Sequence, residues 1–314
     1  MIGQTMSAAR RAMLLCSILL LVPHANAIQI QPEDWEGSVS LTGGHSILVE
    51  EYTATHCASC AEIDPDLGVV VEDHGSRIAM VSYHPDDGID AFGPEAAQHR
   101  IERLELQRDE NMSGTPSFVV NNGEVRKLES WPDVQSDILR SESNQRQYTE
   151  LRVTAATNTT HLTVSVIPPR TGEIVNNTQF TILFVEHKKT VEQGFVNPGE
   201  SYRDRVLVGL AEFPMQGQQL AIGSIIEAPF IASYPTQGLD EWSVIVIHEY
   251  TEEALENRSI MNSQPLGVLE IAVKSSAVEE GAELPVLLPI MIFLAIGMLG
   301  LVSVNAQEKV REEE

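Results

Sequence analysis

An apolar run that closes on two glutamates leads straight into a cysteine pair: ILVEEYTATHCASC, residues Ile47–Cys60. The chain contains three cysteines, and two of them, Cys57 and Cys60, stand here with two residues between them. The run 46–52 predicts a buried strand. Apolar spacing beyond the pair predicts a helix over 61–72, which Pro65 is expected to kink, or whose first turn it is expected to limit. A C-x-x-C at such a junction puts its first cysteine at a helix N-terminus, where free amides and the helix dipole stabilise a thiolate. The second cysteine follows one turn on, close enough to close a small disulfide. Because the thiolate is the attacking species, Cys57 reads as nucleophile and Cys60 as the resolving thiol.

Outward from the pair, alternating β and α patterns continue. RIAMVSY (77–83) reads as a second strand, HPDDGIDAFGP (84–94) as a loop rich in turn formers, and residues 95–107 as a helix. GTPSFVVNNGEVRKLES (114–130) reads as a hairpin turning at Asn122-Gly123. Trp131-Pro132-Asp133 opens a last helix, and the polar stretch 141–147 reads as a linker. Beyond it the texture changes to short alternating runs: ELRVTAA, HLTVSVI, QFTILFVEH, DRVLVGLAEF, EWSVIVIHEY and GVLEIAVKS. Turn signals separate them, and no helix interrupts. The pattern predicts an all-β, sandwich-like segment of about 120 residues.

Composition narrows the class. A formal net charge of -25, with five lysines against 45 acids, disfavours nucleic acid as a partner. Dense carboxylate suits a salty habitat and equally an ordinary acidic secreted protein. Residues 1–27 read as a cleaved secretory signal: Arg10 and Arg11, the apolar MLLCSILLLV, then Ala25-Asn26-Ala27. Cys16 lies in that apolar stretch and is expected to leave with it. Leu284–Val304 is 21 residues without a charge, long enough to cross a hydrocarbon core as one transmembrane helix. The tail 305–314 is expected in the cytoplasm. The expected organisation is a signal peptide (1–27), an α/β domain (28–143), the all-β domain (149–275), the membrane helix (284–304) and the tail. That makes a single-pass protein of the cell membrane with its bulk outside the cytoplasm, where a disulfide persists.

Gly114-Thr115-Pro116 before an apolar strand completes a resemblance. Strand, CxxC, helix, second strand, Thr-Pro before a strand, hairpin and final helix together resemble a thioredoxin. LVEEYTATHCASC (Leu48–Cys60) is similar more narrowly to the opening of the thioredoxin-like family of 28-kDa outer-membrane proteins. The insert from Tyr83 to Phe92 and the later VEQGFVNPG…RVLV stretch resemble that family too, so the likeness runs patchily over 47–208. It implies a cis Pro116, with the Thr115 backbone pairing with a substrate peptide. It also implies a buried acid on the strand before the pair, six residues ahead of Cys57, acting as proton acceptor for Cys60. That count gives Glu51, with Glu50 the other candidate, and strand alternation allows only one of them to face inward. The sequence departs from thioredoxins in carrying His56 for the usual Trp and Ala58-Ser59 for the usual Gly-Pro. A charged His56 favours the Cys57 thiolate; it can equally point to water.

Other readings compete. A structural zinc needs four ligands; the chain offers one C-x-x-C, and His45, His84 and His99 flank it, with no His pair at helical spacing. No metal or cofactor is expected. A purely structural disulfide closing so small a loop stabilises little. Sequons stand at Asn111, Asn158, Asn176 and Asn257, the last three in the β segment and candidates for glycosylation; Asn111 lies too near Pro116. There is no G-x-G-x-x-G, P-loop, G-x-S-x-G or H-E-x-x-H, and His248-Glu249 reads as a strand face. Two functions remain. One is thiol–disulfide exchange on cysteines of secreted or membrane proteins, served by a redox partner protein. The other is a non-catalytic binding protein on the same scaffold.

Overall fold

The computed structural model describes residues 27–106, 112, 114–127, 131–143, 148–168, 177–256 and 263–275, all within one compact unit. The signal peptide apart from Ala27, the linker residues 144–147, the membrane span, the tail, and Asn111, Asn176 and Asn257 lie outside them. In chain order the elements are β1 (Ile28–Ile30), β2 (Ser38–Gly43), β3 (Ile47–Tyr52), α1 (Ala58–His74), β4 (Ile78–Tyr83) and α2 (Glu95–Glu105). There follow β5 (Ser117–Val120), β6 (Val125–Lys127), α3 (Trp131–Ser143), β7 (Leu151–Thr157), β8 (His161–Ile167), β9 (Thr178–Glu186), β10 (Lys189–Thr190) and β11 (Tyr202–Arg203). The chain closes with β12 (Val206–Pro214), β13 (Leu220–Ile222), β14 (Ile225–Ala228), β15 (Ile231–Pro235), β16 (Trp242–Tyr250), α4 (Glu252–Glu256) and β17 (Gly267–Val273). The protein is thus mixed α/β with sheet predominating. Among the described residues no helix is long and apolar enough to cross a membrane.

One mixed sheet of ten strands runs β1-β17-β16-β9-β12-β4-β3-β5-β6, with β13 also on β12. A five-stranded sheet runs β14-β15-β8-β7-β2. Side-chain periodicity reports the layering. β9, β16 and β4 are covered on both faces, and their runs FTILFV, SVIVIH and IAMVSY are correspondingly continuous in apolar character. β7 and β8 belong to the smaller sheet and alternate: Leu151, Val153, Leu162, Val164 and Val166 face inward against Phe180, Phe184, Phe213, Val244 and Ile271 of the large sheet. The opposite face of the large sheet is covered by α2 through Ala97, Ile101 and Leu104. Beside the smaller sheet, α1 and α3 pack Ile63, Leu67, Val71, Val134 and Ile138 on Ile47, Val49, Met80 and Phe118. Fully burying each such side chain contributes roughly 1.5–3 kcal/mol.

Four features differ from the sequence expectation. First, the large sheet takes strands from both sides of 143–149. The halves meet where Val206 of β12 pairs with Ser82 of β4 in parallel, with Ser82 N donating to Arg205 O at 2.8 Å. Second, residues 28–43 do not lead the first sheet half. β1 pairs with β17 and β2 with β7, because SVSLTG alternates and suits the half-covered smaller sheet. Third, α1 starts at Ala58, three residues before the predicted start, and holds Pro65 inside it, its buried face packed on β3 and β4 on either side of the proline. Fourth, the hairpin turns at Asn121-Asn122, both left-handed (φ 48° and 58°), with Gly123 N closing on Val120 O. A turn of this kind needs positive φ at both central positions, which asparagine tolerates.

Candidate functional site

β3 delivers the chain to the N-terminus of α1, and the cysteines mark the junction. Cys57 is the N-cap, with extended backbone (φ -80°, ψ 113°), and its Sγ accepts from the Cys60 amide at 3.1 Å. Cys57 and Cys60 form a disulfide, with Cα atoms 5.3 Å apart. No acidic side chain occupies the first turn of α1, so the amides there present an undiminished positive end to Cys57 Sγ. Cys60 is fully buried, whereas Cys57 keeps 8% of its surface and has the Ser59 hydroxyl 3.4 Å from its sulfur. The partly exposed His56 turns toward Asp87, Nε2 to Oδ2 3.9 Å, while its Nδ1 is buried without a partner.

A loop and a strand hold Thr55, two residues before Cys57. The loop after β4 supplies Asp90, whose Oδ2 accepts from Thr55 N at 2.6 Å and also meets His84 Nδ1 at 3.0 Å; Ala91 N donates to Thr55 Oγ1 at 3.0 Å. Burial alone would raise the Asp90 carboxyl, but its bonds with His84 and with the Phe92 and Thr55 amides hold it below the usual range. From the other side comes β11, whose Arg203 donates from Nη2 to Thr55 O at 3.1 Å and lies 3.6 Å from Asp64 of α1. The sequence marks none of Asp90, Asp64 or Arg203 as part of the Cys site, and it names His84 only as a flanking candidate for a metal. Arg203 gives no local signal at all, because it reaches Thr55 across 148 positions.

Both glutamates of β3 are buried, on opposite faces, because the sheet is covered on both sides. The expectation that one of them meets solvent is therefore corrected. Glu50 lies on the α2 face, where Arg100 Nη2 (2.5 Å) and Tyr83 OH (2.8 Å) donate to its Oε1. Glu51 alternates to the face that carries Ile47 and Val49 under α1, where Ser82 Oγ donates to its Oε2 at 2.7 Å and its Oε1 has no partner. Burial, then the negative charge of Asp64, push Glu51 up to about 8; the Ser82 hydroxyl, Arg205 and Arg203 pull it only part of the way back. Asp64 is itself raised to about 6 by burial, against the opposing pull of Arg203.

The Thr115–Pro116 bond is cis. β5 begins one residue later, and its register Ser117↔Tyr52 on β3 sets Thr115 and Pro116 beside the start of the cysteine loop. The three flanking histidines are dispersed: His45 packs edge-on to Tyr148, His84 bonds Asp90 and His99 meets Glu212. Among the described residues no group of three or more His, Cys, Asp or Glu is arranged to hold a metal ion. His248 and Glu249 point to opposite sides of β16: His248 bonds Thr149 and Thr178, and Glu249 bonds Arg100 and Thr181. A Ser243–His187–Asp204 chain, both contacts 2.7 Å, resembles a hydrolytic triad. Ser243 is fully buried and its hydroxyl also engages Glu270, so no substrate reaches it. Asn158 is exposed, its side-chain carbonyl bonding the Thr160 and His161 amides.

Comparison with known protein families and with curated proteins finds no match. Among solved structures, HBP35 of Porphyromonas gingivalis is similar over 77% of this chain and 81% of its own, at 12% identity and a TM-score of 0.46. A crystal structure of an Agrobacterium tumefaciens protein is similar over 76% of this chain and 97% of its own, at 15% identity and a TM-score of 0.44.

Proposed function

We propose that this chain is a membrane-anchored, extracytoplasmic thiol–disulfide oxidoreductase acting on cysteines of secreted or membrane proteins. In this reading residues 47–143 form a thioredoxin-like unit and the later strands a β-sandwich beside it. The observation that carries the reading is the placement of Cys57. It caps α1, its sulfur receives an amide, and it retains surface, while its disulfide partner Cys60 has none. That asymmetry is what an exchange catalyst needs: one sulfur that is reachable and a good leaving and attacking group, and one that resolves from inside. The extracytoplasmic location and the anchor rest on the sequence of residues 1–27 and 284–304.

The exchange runs as follows. A substrate thiolate attacks Cys57 Sγ, an S–S bond forms between them, and the Cys57–Cys60 bond breaks. Cys60 leaves as a thiolate and takes a proton; Glu51, raised to about 8 and lying on the face of β3 that α1 covers, is the group proposed to exchange that proton. A second substrate thiolate then attacks the substrate sulfur of the mixed disulfide and releases Cys57. Counted from its two thiols, which ionise to solvent, the substrate has lost two electrons and two protons; the cysteine pair has gained the two electrons, with one proton on Cys60 and Cys57 left as the thiolate. The reverse sequence reduces a substrate disulfide, with Cys57 as nucleophile. Thr115 and Pro116 border the Cys loop and offer backbone to an extended peptide, and His56 flanks Cys57.

Equilibration in glutathione buffers tests the reading. A reduction potential between about -120 and -270 mV is the range of exchange catalysts, and one below roughly -300 mV belongs to structural disulfides. The second result, together with equal alkylation rates for the two reduced cysteines, would leave the chain a binding scaffold.

A further inference from the structure

The loop that grips Thr55, and the loop braced by the Arg203 that grips it from the other side, both carry exposed apolar side chains near the start of α1. In the loop after β4, Ile89 is 57% exposed, and Asp87 Oδ1 accepts from the amides of Ile89 and Asp90, both at 2.8 Å. In the loop between β10 and β11, Phe195 is 40% and Val196 64% exposed. That second loop is built for a fixed position. Asn197 Oδ1 accepts from Arg203 Nη2 at 2.7 Å and from Gly199 N at 3.1 Å, and Asn197 Nδ2 donates to Glu200 O at 2.7 Å. It lies against α1 so closely that a Cβ on Gly199 would stand 2.9 Å from the Cβ of Ala61, so only glycine fits there. The loop after β4 also meets β10, Lys189 Nζ sitting 5.5 Å from the centre of the Phe92 ring.

Exposed apolar side chains on two braced loops add nothing to the core, and both loops are tied to Thr55 or to the first turn of α1, the stretch that holds the disulfide. The charge around them has one sign. Asp86, Asp87, Glu62, Glu192 and Glu200 are all exposed on the same loops and on the first turns of α1. Of the cations beside them, Arg203 is buried and turned to Thr55, Asn197 and Asp64, and Lys189 is held by Glu186 and Phe92.

We propose that Ile89, Phe195 and Val196, with the acids around them, form the docking rim for the polypeptide whose cysteines exchange with Cys57. The rim selects an extended segment that carries apolar and basic residues beside its cysteine. Apolar side chains of the segment cover the loop tips, its Lys or Arg side chains meet the carboxylates, and its sulfur is brought to Cys57. The inference rests on the exchange reading above and adds the substrate class to it. Apolar cover sets affinity, and charge complementarity sets encounter rate and rejects acidic partners.

The test uses the full chain, oxidised, and three reductants: dithiothreitol, a two-cysteine peptide with Leu, Phe and Arg neighbours, and the same peptide with Glu for Arg. Reduction of Cys57–Cys60 is followed by the mass of the alkylated protein. The wild type is expected to react faster with the Arg peptide than with the Glu peptide, by about tenfold at low salt, and the gap is expected to close as salt screens it. Phe195→Ser with Val196→Ser is expected to slow the Arg peptide by about tenfold, the equivalent of one lost apolar contact. Dithiothreitol is expected to react unchanged. Glu192→Gln with Asp86→Asn is expected to close the gap between the peptides and again to leave dithiothreitol alone. If both peptides react alike and neither variant slows them while dithiothreitol reacts, the docking rim is overturned and the exchange reading stands. If no reductant, dithiothreitol included, opens the disulfide at a catalytic rate, the exchange reading fails and takes the rim with it.

Discussion

Arg203 Nη2 donates to the carbonyl oxygen of Thr55 at 3.1 Å, binding the approach to the cysteine pair to a strand 148 positions later in the chain. The same guanidinium lies 3.6 Å from Asp64 and bonds Asn197 at 2.7 Å. One buried cation therefore fixes three things at once: the peptide before Cys57, the second turn of α1 and the loop between β10 and β11. The cysteine loop is thus positioned by the β segment as much as by β3 and α1.

Replacing that cation with Met keeps its bulk and removes its five donors. Arg203→Met is expected to cost on the order of 2 kcal/mol, less than the ~3–5 of a fully buried pair, because the Asp64 side chain is 31% exposed. A fall in the urea midpoint with an unchanged slope would register the loss. Faster amide exchange confined to Thr55, Cys57 and the loop 191–201 would locate it. A midpoint shift with no local change in exchange would contradict the bracing role.

Glu51 makes stability depend on pH in a stated direction. Its carboxyl titrates near 4.5 when unfolded and about 8 when folded, so between those values the native state binds more protons than the unfolded one. Stability due to this group is therefore full at low pH and falls as pH rises from about 4.5 to 8. Glu51→Gln keeps the bond from Ser82 and removes the titration. Urea melts at pH 5, 6.5 and 8 are expected to show a shallower decline for Glu51→Gln than for the parent, and equal slopes would place Glu51 in a wetter setting than this one.

Part of this arrangement is legible in the sequence. The strand-to-helix reading of 47–72 follows from a continuous apolar run, a C-x-x-C and helical spacing, all local. The alternating runs of β7 and β8 show strands covered on one face, whereas β9 and β16, read with them as alternating, are buried on both faces. β2 carries the same alternation in SVSLTG, but its partner β7 is more than a hundred residues away, so nothing local says which sheet receives it. The sequence count picks out Glu51, yet the burial of Glu50 depends on Arg100 arriving from α2. The left-handed pair Asn121-Asn122 is hidden by the neighbouring Asn122-Gly123, the more familiar turn signal. What remains illegible is long-range polar pairing, because a buried charge chooses its partner by fold and not by spacing.

Glu249 is the centre of the largest such pairing. Arg100 Nη1 lies 2.8 Å from its Oε1 and Arg103 Nη2 3.4 Å from its Oε2, with the Thr181 hydroxyl donating at 2.6 Å. Burial alone would raise this carboxyl; the two arginines and the hydroxyl bring it down to about 2. Glu249→Gln leaves two buried guanidiniums sharing what Glu50 and backbone supply, and is expected to cost roughly 3–5 kcal/mol. For a depressed carboxyl the contribution is complete above about 4.5 and is lost as pH falls toward 2. Melting temperatures are accordingly expected to fall more steeply between pH 4.5 and 2.5 for the parent than for the variant. Parallel curves would remove the pairing from the stability of the fold.

The two sulfurs of the disulfide are unequal, and the inequality yields the sharpest prediction. Cys57 sits at the N-cap of α1 with 8% of its surface free; Cys60 has none. In the reduced protein, iodoacetamide is expected to alkylate Cys57 at least about tenfold faster than Cys60, with its rate rising through a thiol pKa below the ordinary ~8.5. Cys60→Ser removes the resolving thiol, so a disulfide formed between Cys57 and a substrate persists, and mass spectrometry of the non-reduced protein is expected to find it. Cys57→Ser is expected to accumulate no such adduct, because the remaining sulfur is enclosed by α1 and β3. If Cys57→Ser trapped partners as readily as Cys60→Ser, attack would occur at the inner sulfur, and the N-cap of α1 would have no part in the exchange.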